Sequence, residues 1–389
     1  MQQYSFHSPV KLVIGELSLD TLQFELEVLN CKKPLIISCQ MLENLGIVSQ
    51  VEKFLTNQNN VKFLNIPIDS SLEIVKKIKE CYLKNGCDGI VAIGGGSVID
   101  SAKSARLLIS TNVNDITQIM GYENVNKGKH VPLVAIPTTS GTGSETTSVC
   151  VIADEQNNVK KEFISRFVYP DVAILDPRTT ISMPPILTAT TGLDALCHAI
   201  EAMSCKQSNT ICTAFATSSI KTIAEYLLPA IVDGKNVNAR LKMSESAFMA
   251  GIAFSNSMVG LAHAIAHALG GVAKVPHGQA IAVVLPAVMR FNLEYVKEQY
   301  SSVLLNLAGE QIYCQTANED KPQVSIQEVE KLIERVSKVS GMPTKLSACG
   351  VKEFMISQIA KVASTDGAVL LNPRRASIQQ IEEILKSVM

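Results

Sequence analysis

The segment Gly89-Ile-Val-Ala-Ile-Gly-Gly-Gly-Ser97 carries the signal that decides the fold of this 389-residue chain. Gly89–Ile93 is an unbroken apolar run, which is typical of a strand buried on both faces of a parallel sheet. The next stretch, Gly94-Gly-Gly-Ser-Val-Ile-Asp100, opens a helix predicted over 100–108. Three glycines let backbone N–H groups approach an anion closely, and a helix N-terminus favours negative charge. The turn is therefore either a pyrophosphate-binding loop or a purely structural tight turn.

Short apolar runs alternate with amphipathic stretches along the first 180 residues. Besides the strand above, strands are predicted at 33–38, 61–66, 131–136 and 172–175, and helices at 41–58 and 72–85. This alternation indicates a mostly parallel sheet covered on both faces. Beyond Met183 the pattern is helical with no convincing strand. The sequence therefore predicts an α/β domain over 1–182 and an all-helical domain over 183–389.

A second loop rich in glycine and hydroxyl groups follows the strand predicted to end at Ile136. It reads Pro137-Thr-Thr-Ser-Gly-Thr-Gly-Ser-Glu145. Such loops are also common as plain surface turns. Two of them at the carboxyl ends of strands in one sheet favour a ligand site, because open α/β sheets bind ligands at that edge.

Four of the six histidines lie close together in the second half of the chain. Asp194 and His198 are four residues apart on a predicted helix. His263 and His267 repeat that spacing, so each pair shares one helix face. His277 follows in a segment predicted to be a loop. One carboxylate and three imidazoles converging from two helices and a loop would form a metal site with an open position. Taken singly, each histidine could instead be a packed core residue, and the first pair could be a helix-surface ion pair.

The composition argues against several functional classes. The formal net charge is −1 and no basic block occurs, so a nucleic-acid partner is not expected. The segment 247–273 lacks charged side chains but contains Ser255, Asn256 and two histidines, which favours buried helices over a membrane span. The N-terminus lacks a secretory signal pattern, and the ten cysteines form no Cys-x-x-Cys pair. These features predict a cytoplasmic protein with reduced thiols.

The motifs, in this order, strongly resemble the iron-containing (group III) alcohol dehydrogenases. The resemblance spans nearly the whole chain and includes both loops, Gly192–Glu201, Gly260–Gly270 and Asn372-Pro-Arg374. It implies a Rossmann-like dinucleotide-binding domain followed by a helical metal-binding domain. It implies hydride transfer between a small primary alcohol, diol or aldehyde and NAD or NADP. It also implies Fe²⁺, with Zn²⁺ as a possible substitute, and a homo-oligomer, most simply a dimer.

The resemblance assigns roles to individual residues. Asp194, His198, His263 and His277 match the four metal ligands of the family. His267 matches a histidine beside the metal, which could accept the proton released during catalysis. The positions that match cofactor-binding residues are Gly95, Gly96, Ser97, Asp100, Thr138, Thr139, Ser140, Thr142, Thr147 and Lys160.

One departure from the family pattern concerns the cofactor. NAD-preferring relatives carry an Asp after the first cofactor strand, where it binds the adenosine ribose 2′-OH. Cys39 takes that place here. Without the carboxylate, repulsion against a 2′-phosphate disappears, but no Arg or Lys follows at once to bind such a phosphate. NAD and NADP therefore both stay open.

Two other functions are compatible with the fold. An NAD-using lyase of the dehydroquinate-synthase-like type handles phosphorylated substrates and should need a basic cluster near the metal, whereas 247–273 contains no Lys or Arg. A non-catalytic assembly protein would not need all four ligand residues. The sequence therefore predicts a metal-dependent, NAD(P)-linked alcohol dehydrogenase or aldehyde reductase.

Overall fold

The computed structural model describes residues 3–56, 60–113, 116, 128–154 and 159–389. The chain divides into two compact units: Ser8–Ser182, and Met183–Met389 together with the N-terminal residues up to His7. His7 exchanges two hydrogen bonds with Asn256, at 2.7 and 3.1 Å. This contact explains why the N-terminal residues belong with the helical unit, whereas the predicted first domain began at residue 1.

The first unit contains eight described strands. They are β1 (Lys11–Ile14), β2 (Pro34–Ile37), β3 (Val61–Phe63), β4 (Gly89–Gly94), β5 (Leu133–Pro137), β6 (Val149–Asp154), β7 (Val159–Ile164) and β8 (Val172–Leu175). Six of them form a parallel sheet in the order β1-β8-β5-β4-β2-β3. Strands β2, β4, β5 and β8 are buried along their whole length, which explains their continuous apolar sequences. The predicted parallel α/β fold is confirmed.

Helices cover the sheet and connect its strands. They are α1 (Leu22–Val28), α2 (Gln40–Asn44), α3 (Ile47–Glu52), α4 (Leu72–Lys84) and α5 (Gly96–Thr111). The single helix predicted over 41–58 is wrong, because Gly46 adopts φ +77° and separates α2 from α3. Glycine reaches this left-handed conformation without a steric penalty and so ends a helix readily. Helix α5 begins at Gly96, four residues before the predicted start.

Strands β6 and β7 form an antiparallel hairpin that the sequence did not predict. In β6, Cys150 and Ile152 are buried, while Val149 and Val151 are partly exposed. That alternation is the signature of a strand with one covered face. All four residues are apolar, so the sequence shows no polar–apolar alternation from which this burial could be predicted.

The second unit consists of helices. They are α6 (Pro185–Ser204), α7 (Thr210–Val232), α8 (Val237–Ser255), α9 (Leu261–Ala273), α10 (His277–Asn292), α11 (Lys297–Gln315), α12 (Lys321–Ser340), α13 (Ile356–Ser364), α14 (Ala368–Leu371) and α15 (Ile378–Ser387). No strand occurs between residues 183 and 389, all of which are described, so the predicted helical domain is confirmed. Helix α6 lies at the centre and packs against α7, α8 and α10. None of the described helices has the length and apolarity needed to span a membrane.

Candidate active site

Two buried helices of the second unit carry most of the predicted metal ligands. Asp194 and His198 lie on α6, and His263 lies on α9. These three side chains are buried, although their polar groups would be better solvated in water. A polar group in such a position usually has a bonding partner of comparable strength.

His277 is the first residue of α10, so the prediction of a loop at this position is wrong. Pro276 precedes the helix as its N-cap, where the missing N–H of proline removes no helical hydrogen bond. Gly278 lets this helix start lie close to α6, because a Cβ atom there would stand 2.6 Å from the carbonyl oxygen of Thr190. The predicted ligand set therefore comes from three helices rather than from two helices and a loop.

The three predicted imidazole ligands converge on one carboxylate oxygen. Asp194 Oδ1 lies 3.4 Å from His277 Nε2, 3.6 Å from His263 Nε2 and 3.9 Å from His198 Nδ1. Within the described chain, Asp194 Oδ1, His198 Nδ1 and His263 Nε2 are buried atoms without a hydrogen-bond partner. Leaving such an atom unsatisfied costs about 1–3 kcal/mol. A cation bound among these atoms would satisfy them, and this donor set suits Fe²⁺ or Zn²⁺.

The ionisation of three of these four groups fits a cation site. His263 differs, because burial would lower its pKa but contacts with Cys197, Asp194 and Glu201 raise it well above its ordinary value. Burial lowers the pKa of His198 to about 3, and it lowers the pKa of His277 as well. Burial would raise the pKa of Asp194, but the neighbouring His198 and His277 bring it well below the usual range. A neutral imidazole and an ionised carboxylate are the forms that coordinate metals.

Glu201 contacts one of the predicted ligands and was absent from the predicted set. Its Oε2 atom lies 2.6 Å from Nδ1 of His263. The same carboxylate accepts hydrogen bonds from the backbone N–H groups of Gly260 and Ala262, at 2.8 and 2.7 Å. A sequence signal for it existed, because Glu201 lies seven residues after Asp194 and so shares the ligand face of α6.

His267, the predicted proton acceptor, is paired with an acid that the sequence did not single out. Its Nδ1 atom lies 2.9 Å from Oδ2 of Asp366, between α13 and α14. Oδ1 of Asp366 accepts a hydrogen bond from the backbone N–H of Ala368 at 2.9 Å. Burial would raise the pKa of Asp366, but the hydrogen bond with His267 lowers it, so the carboxylate stays ionised. The ring of His267 stacks on that of His277 at a centroid distance of 5.3 Å.

The predicted cofactor loops occupy the carboxyl ends of adjacent parallel strands in the first unit. Gly95 and Gly96 follow β4 and start α5, and Thr138–Thr142 follow β5. A Cβ atom at Gly96 would lie 2.9 Å from Thr142 Cγ2, and one at Gly95 would lie 3.1 Å from Thr139 Oγ1. Glycine at both positions lets the two loops approach this closely, and the N–H groups at the start of α5 favour an anion.

The strand order reverses beside these loops. From β2 the chain proceeds to β3 at one edge, and from β4 it proceeds to β5 and β8 on the other side. Cys39 follows β2 and is the N-cap residue of α2, so it lies at the same edge as the glycine loop after β4. The carboxyl ends of strands at such a reversal are where open α/β sheets bind dinucleotides.

Several predicted cofactor residues also make contacts within the protein. Oδ2 of Asp100 accepts from the backbone N–H of Val151 at 2.9 Å, and Oδ1 accepts from the Ser144 hydroxyl. Oγ1 of Thr147 accepts from Lys103 Nζ at 2.9 Å. These contacts hold the loop after β5 in shape, so Asp100 and Thr147 support the cradle that this loop forms with the glycine loop after β4.

The remaining predicted residues are distributed around the cradle. The Ser97 hydroxyl donates to the carbonyl oxygen of Ile68, and Thr138 N–H donates to Gly94 at 3.0 Å. Ser140 is buried in the same loop. The backbone of Lys160 lies in β7, but its side chain falls outside the part of the chain that the structure describes.

Two family models cover almost the whole chain. Residues 9–177 match the model described as iron-containing alcohol dehydrogenase. Residues 188–389 match the model described as Fe-containing alcohol dehydrogenase family, C-terminal. The two matched regions correspond to the sheet unit and the helical unit.

Individual relatives agree with these models. The chain is 36% identical over 389 residues to the NAD-dependent methanol dehydrogenase of Bacillus methanolicus, covering 99% of this chain and 100% of that protein. It is 37% identical over 308 residues to the 1,3-propanediol dehydrogenase of Klebsiella pneumoniae, covering 78% and 77%. The crystal structure of a 1,3-propanediol oxidoreductase is similar with a TM-score of 0.94 and 31% identity, covering 100% of both chains.

Proposed function

Because the chain belongs to the iron-containing alcohol dehydrogenase family, we propose that it is a metal-dependent, NAD(P)-linked oxidoreductase that acts on small primary alcohols, diols or the corresponding aldehydes. The observation that carries the proposal is the convergence of His198, His263 and His277 on the buried carboxylate of Asp194. Buried imidazole and carboxylate atoms without partners have little use in a purely structural core.

The proposed metal ligands are Asp194, His198, His263 and His277. A divalent cation held by them would supply Lewis acidity that favours loss of the proton from an alcohol hydroxyl. Three of the four proposed ligand side chains are buried, so the protein excludes water around them. Exclusion of water strengthens every electrostatic interaction at the reacting oxygen.

The proposed proton acceptor is His267. Its hydrogen bond to the ionised Asp366 stabilises the neutral tautomer with the proton on Nδ1, which leaves the basic lone pair on Nε2. In alcohol oxidation the hydroxyl proton would pass to this nitrogen. The carbinol hydrogen would leave with its electron pair as hydride, which oxidised nicotinamide accepts.

The proposed dinucleotide site is the edge formed by the loops after β2, β4 and β5. Gly95 and Gly96 would receive the pyrophosphate at the start of α5, and Thr138, Thr139, Ser140 and Thr142 would line the same cradle. Ser97 and Lys160 stay proposed contacts by motif. Cys39 offers neither a carboxylate for the ribose 2′-OH nor a cation for a 2′-phosphate, so we expect measurable turnover with both NAD and NADP.

The alternatives raised by the sequence receive no support from the relatives. Those compared above are named as dehydrogenases or oxidoreductases acting on alcohols or diols. Neither a lyase nor an assembly protein is needed to explain the site. By family resemblance we also propose a cytoplasmic homo-oligomer, most simply a dimer, which light scattering of the purified protein would test.

The deciding experiment is an alcohol and aldehyde panel. The Fe²⁺- or Zn²⁺-loaded protein is mixed with NAD⁺ or NADP⁺ and short alcohols and diols, and absorbance is followed at 340 nm. We expect activity on several short primary alcohols that disappears in the chelated protein. Metal-free protein that keeps full activity, or loaded protein inactive on the whole panel with both cofactors, would contradict the proposal.

A further inference from the structure

The start of helix α9 is capped by hydrogen bonds to two side chains from elsewhere in the helical unit. The first N–H groups of a helix have no partner within the helix. Here, Glu201 accepts from Gly260 and Ala262, and Asn372 accepts from Leu261 at 3.2 Å. Three consecutive backbone donors are therefore satisfied by a carboxylate and an amide.

Glu201 differs from Asn372 in making one more contact. Its Oε2 atom lies 2.6 Å from Nδ1 of His263, the third residue of α9. The opposite ring nitrogen, Nε2, faces Asp194 Oδ1 at 3.6 Å. The ring of His263 is thus held between one carboxylate behind it and another at the proposed metal position.

The neighbouring residues leave room for this arrangement. Gly260 has no side chain, and a Cβ atom there would lie 3.0 Å from Asn372 Oδ1 and 3.1 Å from Glu201 Oε1. Asn372 is held by a reciprocal pair of amide hydrogen bonds with Asn292, at 2.8 and 2.9 Å. Gly260, from the motif Gly260–Gly270, and the distant Asn372 therefore both contribute to capping the start of α9.

We infer that Glu201 is the positioning residue of the metal site, fixing the tautomer and orientation of His263 so that Nε2 is presented to the metal. A carboxylate that accepts from Nδ1 leaves the Nε2 lone pair for coordination and raises the basicity of the ring. Asn372 caps the same helix end but contacts no proposed ligand, so it stabilises the helix without orienting His263. The inference rests on the proposed metal site but not on turnover.

The test compares Glu201→Gln with the matched control Asn372→Ala. Glutamine has one acceptor oxygen, so it can serve at most two of the three N–H donors, and its amide N–H₂ group would face a donor. We expect Glu201→Gln to raise the dissociation constant for Zn²⁺ by about 10- to 100-fold. Asn372→Ala should lower the melting temperature but change the dissociation constant by less than about threefold, since it leaves every ligand in place.

Affinity is measured by competition between the purified full-length protein and a chromophoric chelator, without substrate or nucleotide. Unchanged affinity in Glu201→Gln, or equal losses in both variants, would overturn the inference. If wild-type protein binds Zn²⁺ but oxidises no alcohol, the proposed function fails while the comparison of variants stands. If wild-type protein does not bind Zn²⁺, the metal site and this inference fail together.

A measurement on wild-type protein decides the matter if Glu201→Gln does not fold. In Co²⁺-loaded protein, the N–H protons of ligating imidazoles give shifted NMR signals. Because His263 Nδ1–H is buried against Glu201, at least one such signal should exchange slowly after transfer to D₂O. Loss of every such signal within the dead time would overturn the inference.

Discussion

The histidines of this chain divide according to what surrounds each imidazole. His198 and His263 are buried around one carboxylate oxygen, and His277 reaches the same oxygen from the start of α10. His267 lies beside them with its own acid, Asp366. His130 is half exposed, and its Nε2 atom lies 3.5 Å from Oδ1 of Asp171. Residue type alone could not separate these roles.

Removal of one proposed ligand tests the metal site directly. We expect His277→Ala to lose most of the bound metal and at least about 100-fold in kcat/KM, because several kcal/mol of electrostatic stabilisation depend on the cation. His130→Ala is the matched control and should keep the bound metal and the wild-type kcat/KM. Metal analysis of the purified variants, with steady-state kinetics, gives the comparison. Full metal content in His277→Ala would remove His277 from the ligand set.

Asp366→Asn tests the proposed proton path. The amide can no longer provide two acceptor oxygens to His267 and the backbone N–H of Ala368, so the imidazole loses its preferred tautomer. We expect kcat to fall by about 10- to 100-fold, a part of what general acid–base catalysis contributes. Metal content should not change. The exposed Glu353→Gln serves as control, and an Asp366→Asn variant with wild-type kcat would contradict the role.

Sequence patterns identified the proposed ligands but not the acids that contact the neighbouring imidazoles. The four-residue spacing of Asp194 and His198 places them on one helix face, and the same spacing does so for His263 and His267. Asp366 is 99 residues from His267, and no local pattern connects the two. Glu201 lies on the same face of α6 as Asp194 and His198, but its contact with His263 depends on the distance between α6 and α9. That distance follows from helix packing, which a periodicity does not contain.

At the scale of elements, the start of α10 depends on close packing against α6. We expect Gly278→Ala to destabilise the protein by about 1–3 kcal/mol, because its Cβ atom would meet the Thr190 carbonyl at 2.6 Å. The displaced helix start should also weaken Zn²⁺ binding through His277. Gly367→Ala is the control, since its Cβ atom would meet nothing within 4 Å. Urea unfolding and metal titration measure both effects, and equal behaviour of the two variants would contradict the packing argument.

The loop after β5 depends on a buried lysine. Lys103 Nζ donates to the carbonyl oxygens of Ser144 and Val149, at 2.8 and 2.5 Å, besides its bond to Thr147. We expect Lys103→Met to cost about 1–3 kcal/mol of stability, because buried acceptors lose their donor. Binding of NAD(P)H, followed by its fluorescence, should weaken as the loop loosens.

The exposed Lys77 on α4 provides a lysine-to-methionine control. Lys77→Met should leave both stability and nucleotide binding within experimental error, since exposed ion pairs contribute little. If Lys103→Met binds nucleotide as tightly as Lys77→Met, the lysine has no influence on the cradle.

Element types were predicted better than element ends. The buried strands and most long helices follow from apolar runs and periodicity. The break at Gly46 and the start of α10 at His277 depend on single backbone conformations. Strand β6 is apolar at consecutive positions, so its alternating burial exists only after folding.

At the scale of the whole molecule, the metal should contribute to stability as well as catalysis. A ligand that binds only the native state adds about 2.7 kcal/mol at 100 times its dissociation constant. We therefore expect chelation to lower the melting temperature and Zn²⁺ to restore it. Differential scanning fluorimetry with and without Zn²⁺ measures the shift. His277→Ala should show no such response, and a wild-type protein insensitive to both treatments would contradict the site.

The sequence by itself determined the class of this protein. Apolar runs, glycine-rich turns and helical spacing specify a parallel α/β unit, a helical unit and two pairs of candidate site residues, because each is a local pattern. Only the tertiary structure decided that Asp194 is the common neighbour of three imidazoles and that Glu201 contacts Nδ1 of His263. It also decided that Asp100 supports the loop after β5. These relations join residues from different elements, so they arise from packing and hydrogen-bond satisfaction in the folded chain.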